Sequence, residues 1–349
     1  MKKSIRYELA PQMEVYDAIG QVWKPFIMYI TRPNFKSDVV NLDKFGLRFN
    51  NLNRKYDSIF DEKNFSKNKE TAALVGSSTC FGIGASSDTS TISSKLSELS
   101  NFHFFNLGGR AFSGFQEIIL FQALIRHLKD IKKIVIFSGI NDILLTNRLS
   151  MYDPILGPYY FNNQYIRGMT KNTLNWKRSL TRFLLDPFIK NNVDWNLITK
   201  KELFDHVFKK KPYGKTEPLN KDEILRTLIE RNFSCWSNIQ KAMKIKIIYV
   251  LQPMAHWNNK ELSYEEEKIF KYLDSSNKDF QTIKLLDLKK YKYYKECIAE
   301  NCSRLNFDFI DSNDYISKKN LHKKWIFVDR AHLTDLGNKY IAELILSNL

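Results

Sequence analysis

The chain has 349 residues, is 43% hydrophobic and 14% aromatic, and carries a formal charge of +16. With 13 glycines and 9 prolines it is built to form a large packed core, which excludes a disordered or low-complexity chain. No run of about 18 uncharged apolar residues occurs, so no membrane-spanning helix is expected.

Residues 1–70 predict a small β-containing extension packed on the main domain. The stretch 25–30 reads as a strand, 42–49 as a turn entering another, and 57–69 as a polar surface loop. From residue 71 a strand–helix alternation sets in. A short apolar strand at 71–77 ends in Gly76-Ser77-Ser78-Thr79-Cys80-Phe81-Gly82, and a helix follows at about 91–100. The strand 102–107 ends in Gly108-Gly109. Phe115, Ile118, Phe121, Ile125 and Leu128 then recur at helical spacing, and 132–138 is another buried strand.

The alternation is interrupted at about 144–219, a segment rich in aromatic and basic residues that includes Tyr159, Tyr160, Phe161, Trp176 and Trp195. A lid that shapes substrate access and a structural subdomain both fit it. The alternation resumes with a helix near 221–241, a strand at 245–251 and Gln252-Pro253. Ser263-x-x-Glu266 is a capping box that starts a helix. A helix at about 284–303, a strand at 307–311 and a last helix from Thr334 complete the chain. Such alternation implies a parallel sheet with helices on both faces. The chain divides into an extension at 1–70 and a main domain at 71–349.

Ligand sites in such sheets form beyond the carboxyl ends of the strands. Those ends carry Ser78; then Asn106, Gly108, Gly109 and Arg110; then Ser138-Gly139-Ile140-Asn141-Asp142; then Gln252; and, before the last helix, Asp329-Arg330-Ala331-His332. A serine hydroxyl needs a base to become a nucleophile, a histidine titrates in the right range to be that base, and a carboxylate fixes the histidine tautomer. An oxyanion intermediate needs hydrogen-bond donors, and Asn141 with a backbone N–H at 109–111 can supply them.

These four blocks resemble those of the SGNH (GDSL-type) hydrolase family. Gly76–Gly82 looks like the first block, with Ser77 where the family usually has aspartate. Asn106-Leu107-Gly108-Gly109-Arg110-Ala111 looks like the second, with Ala111 at its usual last glycine. Gly139-Ile140-Asn141-Asp142 resembles the third and Asp329-Arg330-Ala331-His332-Leu333 the last. The resemblance covers 71–349 outside the 144–219 insertion. It implies a three-layer α/β/α, flavodoxin-like fold with five parallel strands in the order 2-1-3-4-5. It also implies Ser78 as nucleophile, His332 as base, Asp329 as its orienting partner, and Ser78, Ala111 and Asn141 as oxyanion donors.

The remaining polar residues near the strand ends divide between site and scaffold. Gly109, Arg110, Gln252 and His256 are candidate substrate contacts, with Arg110 suited to an anionic group. Asp142 reads as a helix cap, Asp335 as a first-turn structural acid and Cys80 as packing. No cofactor and no metal are expected, because the histidines are unclustered and Cys80, Cys235, Cys297 and Cys302 lack metal-type spacing. Reduced cysteines and the missing apolar leader after Met1-Lys2-Lys3 predict a cytoplasmic protein. The lysine clusters at 209–211, 289–295 and 318–324 carry no nucleic-acid-binding motif, and a solvated basic surface and a polyanion-binding face both fit them. The expected activity is removal of an acyl group, acetyl first, from a carbohydrate or small-molecule ester. Acyl transfer at the same site, and lipase or thioesterase action on longer chains, are the alternatives.

Overall fold

The computed structural model describes residues 4–52, 55–57, 69–128, 130–146, 152–153, 157–160, 220–276, 288–319 and 321–349. In chain order these form helices α1 (Ile5–Leu9) and α2 (Gln12–Ala18), strands β1 (Gln21–Lys24), β2 (Met28–Thr31), β3 (Asn50–Leu52), β4 (Lys55–Asp57) and β5 (Glu70–Gly76), and helices α3 (Ser78–Phe81) and α4 (Ile92–Leu99). Next come β6 (Phe102–Gly108), α5 (Gly114–Leu124), β7 (Ile131–Ser138), α6 (Ile140–Thr146), and the short pair β8 (Tyr152–Asp153) and β9 (Gly157–Pro158). The rest is α7 (Lys221–Met243), β10 (Lys246–Leu251), α8 (Tyr264–Ser276), α9 (Leu288–Leu305), β11 (Asp308–Asp311), α10 (Ser312–Lys318) and α11 (Asp335–Leu346). Phe161, Trp176, Trp195, the lysines at 209–211 and most of the expected insertion lie outside the described residues.

The central sheet has five strands in the order β11-β10-β7-β5-β6, all parallel. Numbered along the sheet domain, this is the expected 2-1-3-4-5 order. Alternating side chains separate two hydrophobic layers, as the pleat requires. Ala73, Val75, Leu107, Ile134, Ile136, Ile247 and Tyr249 face α5, α7 and α9. Ala72, Leu74, Phe104, Val135, Phe137, Ile248 and Val250 face α4, α8 and α11. The capping box at the start of α8 forms as expected, Ser263 N–H donating to Glu266 at 2.8 Å and Glu266 N–H to Ser263 Oγ at 3.3 Å.

Register brings the strand ends level. Gly76 pairs with Gly108 and with Phe137, and Leu251 pairs with Ser138. Each polar block therefore leaves the sheet at one edge. Gly108 is required there: a Cβ on it would stand 2.1 Å from the Phe81 nitrogen, so only glycine lets β6 run this close beneath α3.

The extension differs in detail from the expectation. The strand expected at 25–30 is the second arm of a hairpin, Met28–Thr31 paired antiparallel with Gln21–Lys24. Pro25 and the positive φ of Phe26 (66°) form the turn between the arms. The extension also has its own small core, in which Met13, Tyr16, Val40 and Leu42 pack on Phe81, Ile83 and Val328. A buried polar clamp reinforces it. Arg48 pairs with Asp88 at 2.8 Å and donates to Tyr16 Oη and to the carbonyls of Phe81, Gly82 and Val39. Tyr16 Oη in turn donates to the Gly82 and Ala85 carbonyls. The extension thus fixes the loop that follows Ser78.

Candidate active site

Ser78 is the first residue of α3, directly after β5, where helix N–H groups lack intrahelical partners. Gly82, with φ of +90°, ends this single turn. Opposite, the segment 325–334 forms a tight loop before α11. Val328 N–H donates to the His332 carbonyl and Thr334 N–H to that of Ile326. Buried Glu266 holds the loop from behind by accepting from the N–H groups of Ile326 and Phe327. Arg330 anchors it to Asp274 through two parallel bonds of 2.9 and 2.6 Å.

Across this gap His332 Nε2 lies 2.8 Å from Ser78 Oγ. His332 Nδ1 lies 2.7 Å from Asp329 Oδ2, and Asp329 Oδ1 accepts the N–H groups of Ala331 and His332 at 2.9 and 2.8 Å. Asp329 is fully buried. Burial alone would raise its pKa, but the charge of His332 and the hydrogen bond to it outweigh that and hold it below the ordinary value. A carboxylate kept ionised at Nδ1 fixes the tautomer that leaves Nε2 free to take the serine proton.

The pocket around Ser78 has a volume of about 180 Å³ and is lined by Gln21, Ser78, Ile83, Arg110, Ala111, Ile140, Asn141, Leu144, Tyr160, Gln252, Ala331 and His332. Asn141 Nδ2 donates to the Phe112 carbonyl at 2.7 Å. That bond orients the amide, and an amide nitrogen has a second hydrogen to offer. Ala111 sits in the left-handed region, φ +57°, which explains why the related blocks favour glycine there. The strain is of order 1 kcal/mol, and Tyr29 Oη donates to the Ala111 carbonyl at 2.6 Å to hold it.

Two of the expected substrate contacts do not line this pocket. Gly109 donates its N–H to the Gly76 carbonyl at 3.0 Å, and its Cα faces the Phe112 ring, which a Cβ would strike at 2.1 Å. His256 packs edge-on to Trp257. Gln252 and Arg110 do line it. Gln252 also accepts from Ser77 Oγ at 3.4 Å. Cys80 is buried, with its thiol pushed well above the ordinary range by burial, and it packs beneath the turn. Asp335 accepts from the Ser86 N–H at 2.8 Å. Among the described residues no His, Cys, Asp and Glu group could hold a metal ion, and no helix is long and apolar enough to cross a membrane. Sequence reasoning misses Gln21, Ile83, Ile140, Leu144 and Ala331 as pocket walls. No periodicity marks them: Gln21 arrives with the docked extension, and the other four meet only where separate strand ends of the main domain come together.

Two buried carboxylates lie behind the Ser138–Asp142 turn. Glu117 accepts from Ser138 Oγ at 2.5 Å. Asp142 accepts from the Gly114 N–H at 2.9 Å and from Asn232 Nδ2 at 3.4 Å. Burial pushes both pKa values up. For Glu117 the folded state therefore keeps a proton that the unfolded chain has released once pH passes its ordinary value of 4.5. Its contribution is fully present below that pH and is lost as pH rises toward the folded value. Glu117→Gln, which keeps an acceptor for Ser138, is expected to gain stability relative to wild type progressively as pH rises above the ordinary value of 4.5. Denaturant midpoints measured across that range check this; a pH-independent difference would refute it.

No protein-family description matches the chain, and no curated protein matches it. Solved structures similar to it include an acetyl xylan esterase, 12% identical, which spans 80% of this chain and 99% of its own with a TM-score of 0.41. A lipolytic protein of the G-D-S-L family from Veillonella parvula is 12% identical over 79% of this chain and 96% of its own, with a TM-score of 0.42. A lipase/acylhydrolase from Enterococcus faecalis is 10% identical over 80% and 94%, also at 0.42. These are distant likenesses, and the fold assignment rests on the strand order and register.

Proposed function

We propose that the chain is a serine ester hydrolase acting through an acyl-serine intermediate. One observation carries the reading: Ser78, His332 and Asp329 form a continuous hydrogen-bonded relay, although 254 residues separate the serine from the histidine. In the first step Ser78 Oγ attacks the ester carbonyl while His332 Nε2 takes its proton. The tetrahedral oxyanion sits against the N–H groups of Ser78 and Ala111 and the free hydrogen of Asn141 Nδ2. Collapse expels the alcohol, which receives the proton from His332. His332 then activates water, and the acid product leaves. No cofactor is needed for either half.

A short acyl group, acetyl first, suits the pocket volume and the apolar walls Ile83, Ile140 and Leu144. Tyr160 at the rim offers an aromatic face against which a sugar ring can stack. A fluorophosphonate probe followed by peptide mapping tests the reading: labelling at Ser78 supports it, and labelling elsewhere or none overturns it. A nitrophenyl ester chain-length series then reports acyl preference. Asn141→Ala is expected to lower kcat by about 100- to 1000-fold with a smaller change in KM, as for loss of one oxyanion donor. Steady-state kinetics on a short ester checks this, and an equal loss confined to KM would contradict it.

A further inference from the structure

Two arginines near the site are treated differently: Arg48 is buried and Arg110 is half-buried. Arg48 spends its guanidinium on a carboxylate, a phenol and three carbonyls. Among the described residues, Arg110 donates through Nη1 to the Ile19 carbonyl. Its Nε is shielded from solvent and has no partner. The nearby acid, Asp17, is already held by Arg6 and by Tyr7 Oη. None of the described residues that line the pocket bears a carboxylate, and the acid that offsets the Arg110 charge is Asp17, outside that lining. Arg110 lines the pocket beside Ser78, where a guanidinium is suited to take a planar carboxylate.

Resting on the hydrolase reading, we infer that the natural substrate is an ester that also bears a carboxylate, which docks on the Arg110 guanidinium while the ester carbonyl meets Ser78. Ile19 holds the guanidinium from behind. The apolar walls Ile83 and Leu144 exclude water and strengthen the pairing. The carboxylate belongs either to the acyl part, as in a half-ester of a dicarboxylic acid, or to the alcohol part, as in an acylated acidic sugar.

Matched ester pairs test this. On the acyl side para-nitrophenyl hemiglutarate is compared with para-nitrophenyl valerate, and on the alcohol side meta-acetoxybenzoate with meta-acetoxybenzamide, after subtraction of spontaneous hydrolysis. In one pair the wild-type kcat/KM is expected to favour the anionic ester by roughly 10- to 100-fold, the range of a charge-assisted hydrogen bond. The preferred pair identifies which part carries the acid. Arg110→Gln should bring that ratio to about one, and Arg110→Lys, which keeps the cation without the fork, should leave an intermediate ratio. Ser78-dependent turnover with no anionic preference in either pair would overturn the inference and leave the hydrolase standing. So would a preference that survives in Arg110→Gln. Absence of Ser78-dependent turnover of all four esters would overturn both. The wild-type comparison needs no variant to fold.

Discussion

Ser78→Ala is expected to lower kcat on a short-chain ester by about four to six orders of magnitude. His332→Ala should lose about as much, and the double variant little more, because a relay whose members act as one unit is not additive. Asp329→Asn tests a finer point. Its carbonyl oxygen can still accept from the Ala331 and His332 N–H groups, as Asp329 Oδ1 does. Its amide would then face His332 Nδ1 and force the proton onto Nε2, where it blocks acceptance from Ser78. A loss of about 10⁴ with unchanged thermal stability is the expected result. A Ser78→Ala enzyme that keeps even a few per cent of wild-type kcat would remove the mechanism.

Arg48→Met is expected to cost about 3–5 kcal/mol of stability, since it leaves the buried Asp88 carboxylate without its cation. Asn41 still donates to Asp88 through Nδ2 at 2.8 Å, which limits the loss. Activity should fall as well. Arg48 is bonded to the carbonyls of Phe81 and Gly82, at the end of the helix that Ser78 begins. Urea midpoints and kcat measured together check both effects. Replacing both partners by apolar residues should recover part of the stability, because no unpaired charge is then buried. A single variant as stable as wild type would mean that the extension does not anchor the serine loop.

How much of this is legible in the sequence follows from the range of the forces involved. The sheet strands are legible because each is a short apolar run between glycine and polar residues. The three layers follow from their alternation with helices. Ser78, Asn141 and Asp329-to-His332 are legible because each lies in a short block whose backbone is set locally. The hairpin at 21–31 is half legible: the Met28–Thr31 arm reads as a strand, but the turn at Pro25 and Phe26 falls inside the expected run. Gln21, Tyr29 and Arg48 are not legible. Their importance lies in partners such as Ala111, Gly82 and Asp88, dozens of residues away, and nothing in spacing or periodicity announces such a contact. Arg110 is legible as a candidate for anion binding, and only its place in the pocket wall beside Ser78 gives it weight.

The small core beneath Ser78 joins distant parts of the chain: Met13 and Tyr16 with Phe81, and all three with Val328. A ribosome emits Val328 later than Met13, by 315 residues. At about 5–20 residues per second that interval is on the order of tens of seconds. Throughout it the greasy side of α2 has no complete seat, and the nascent chain presents it to whatever holdase or protease is near. The same residues that brace the finished serine loop are therefore left without their full packing until Val328 has been made.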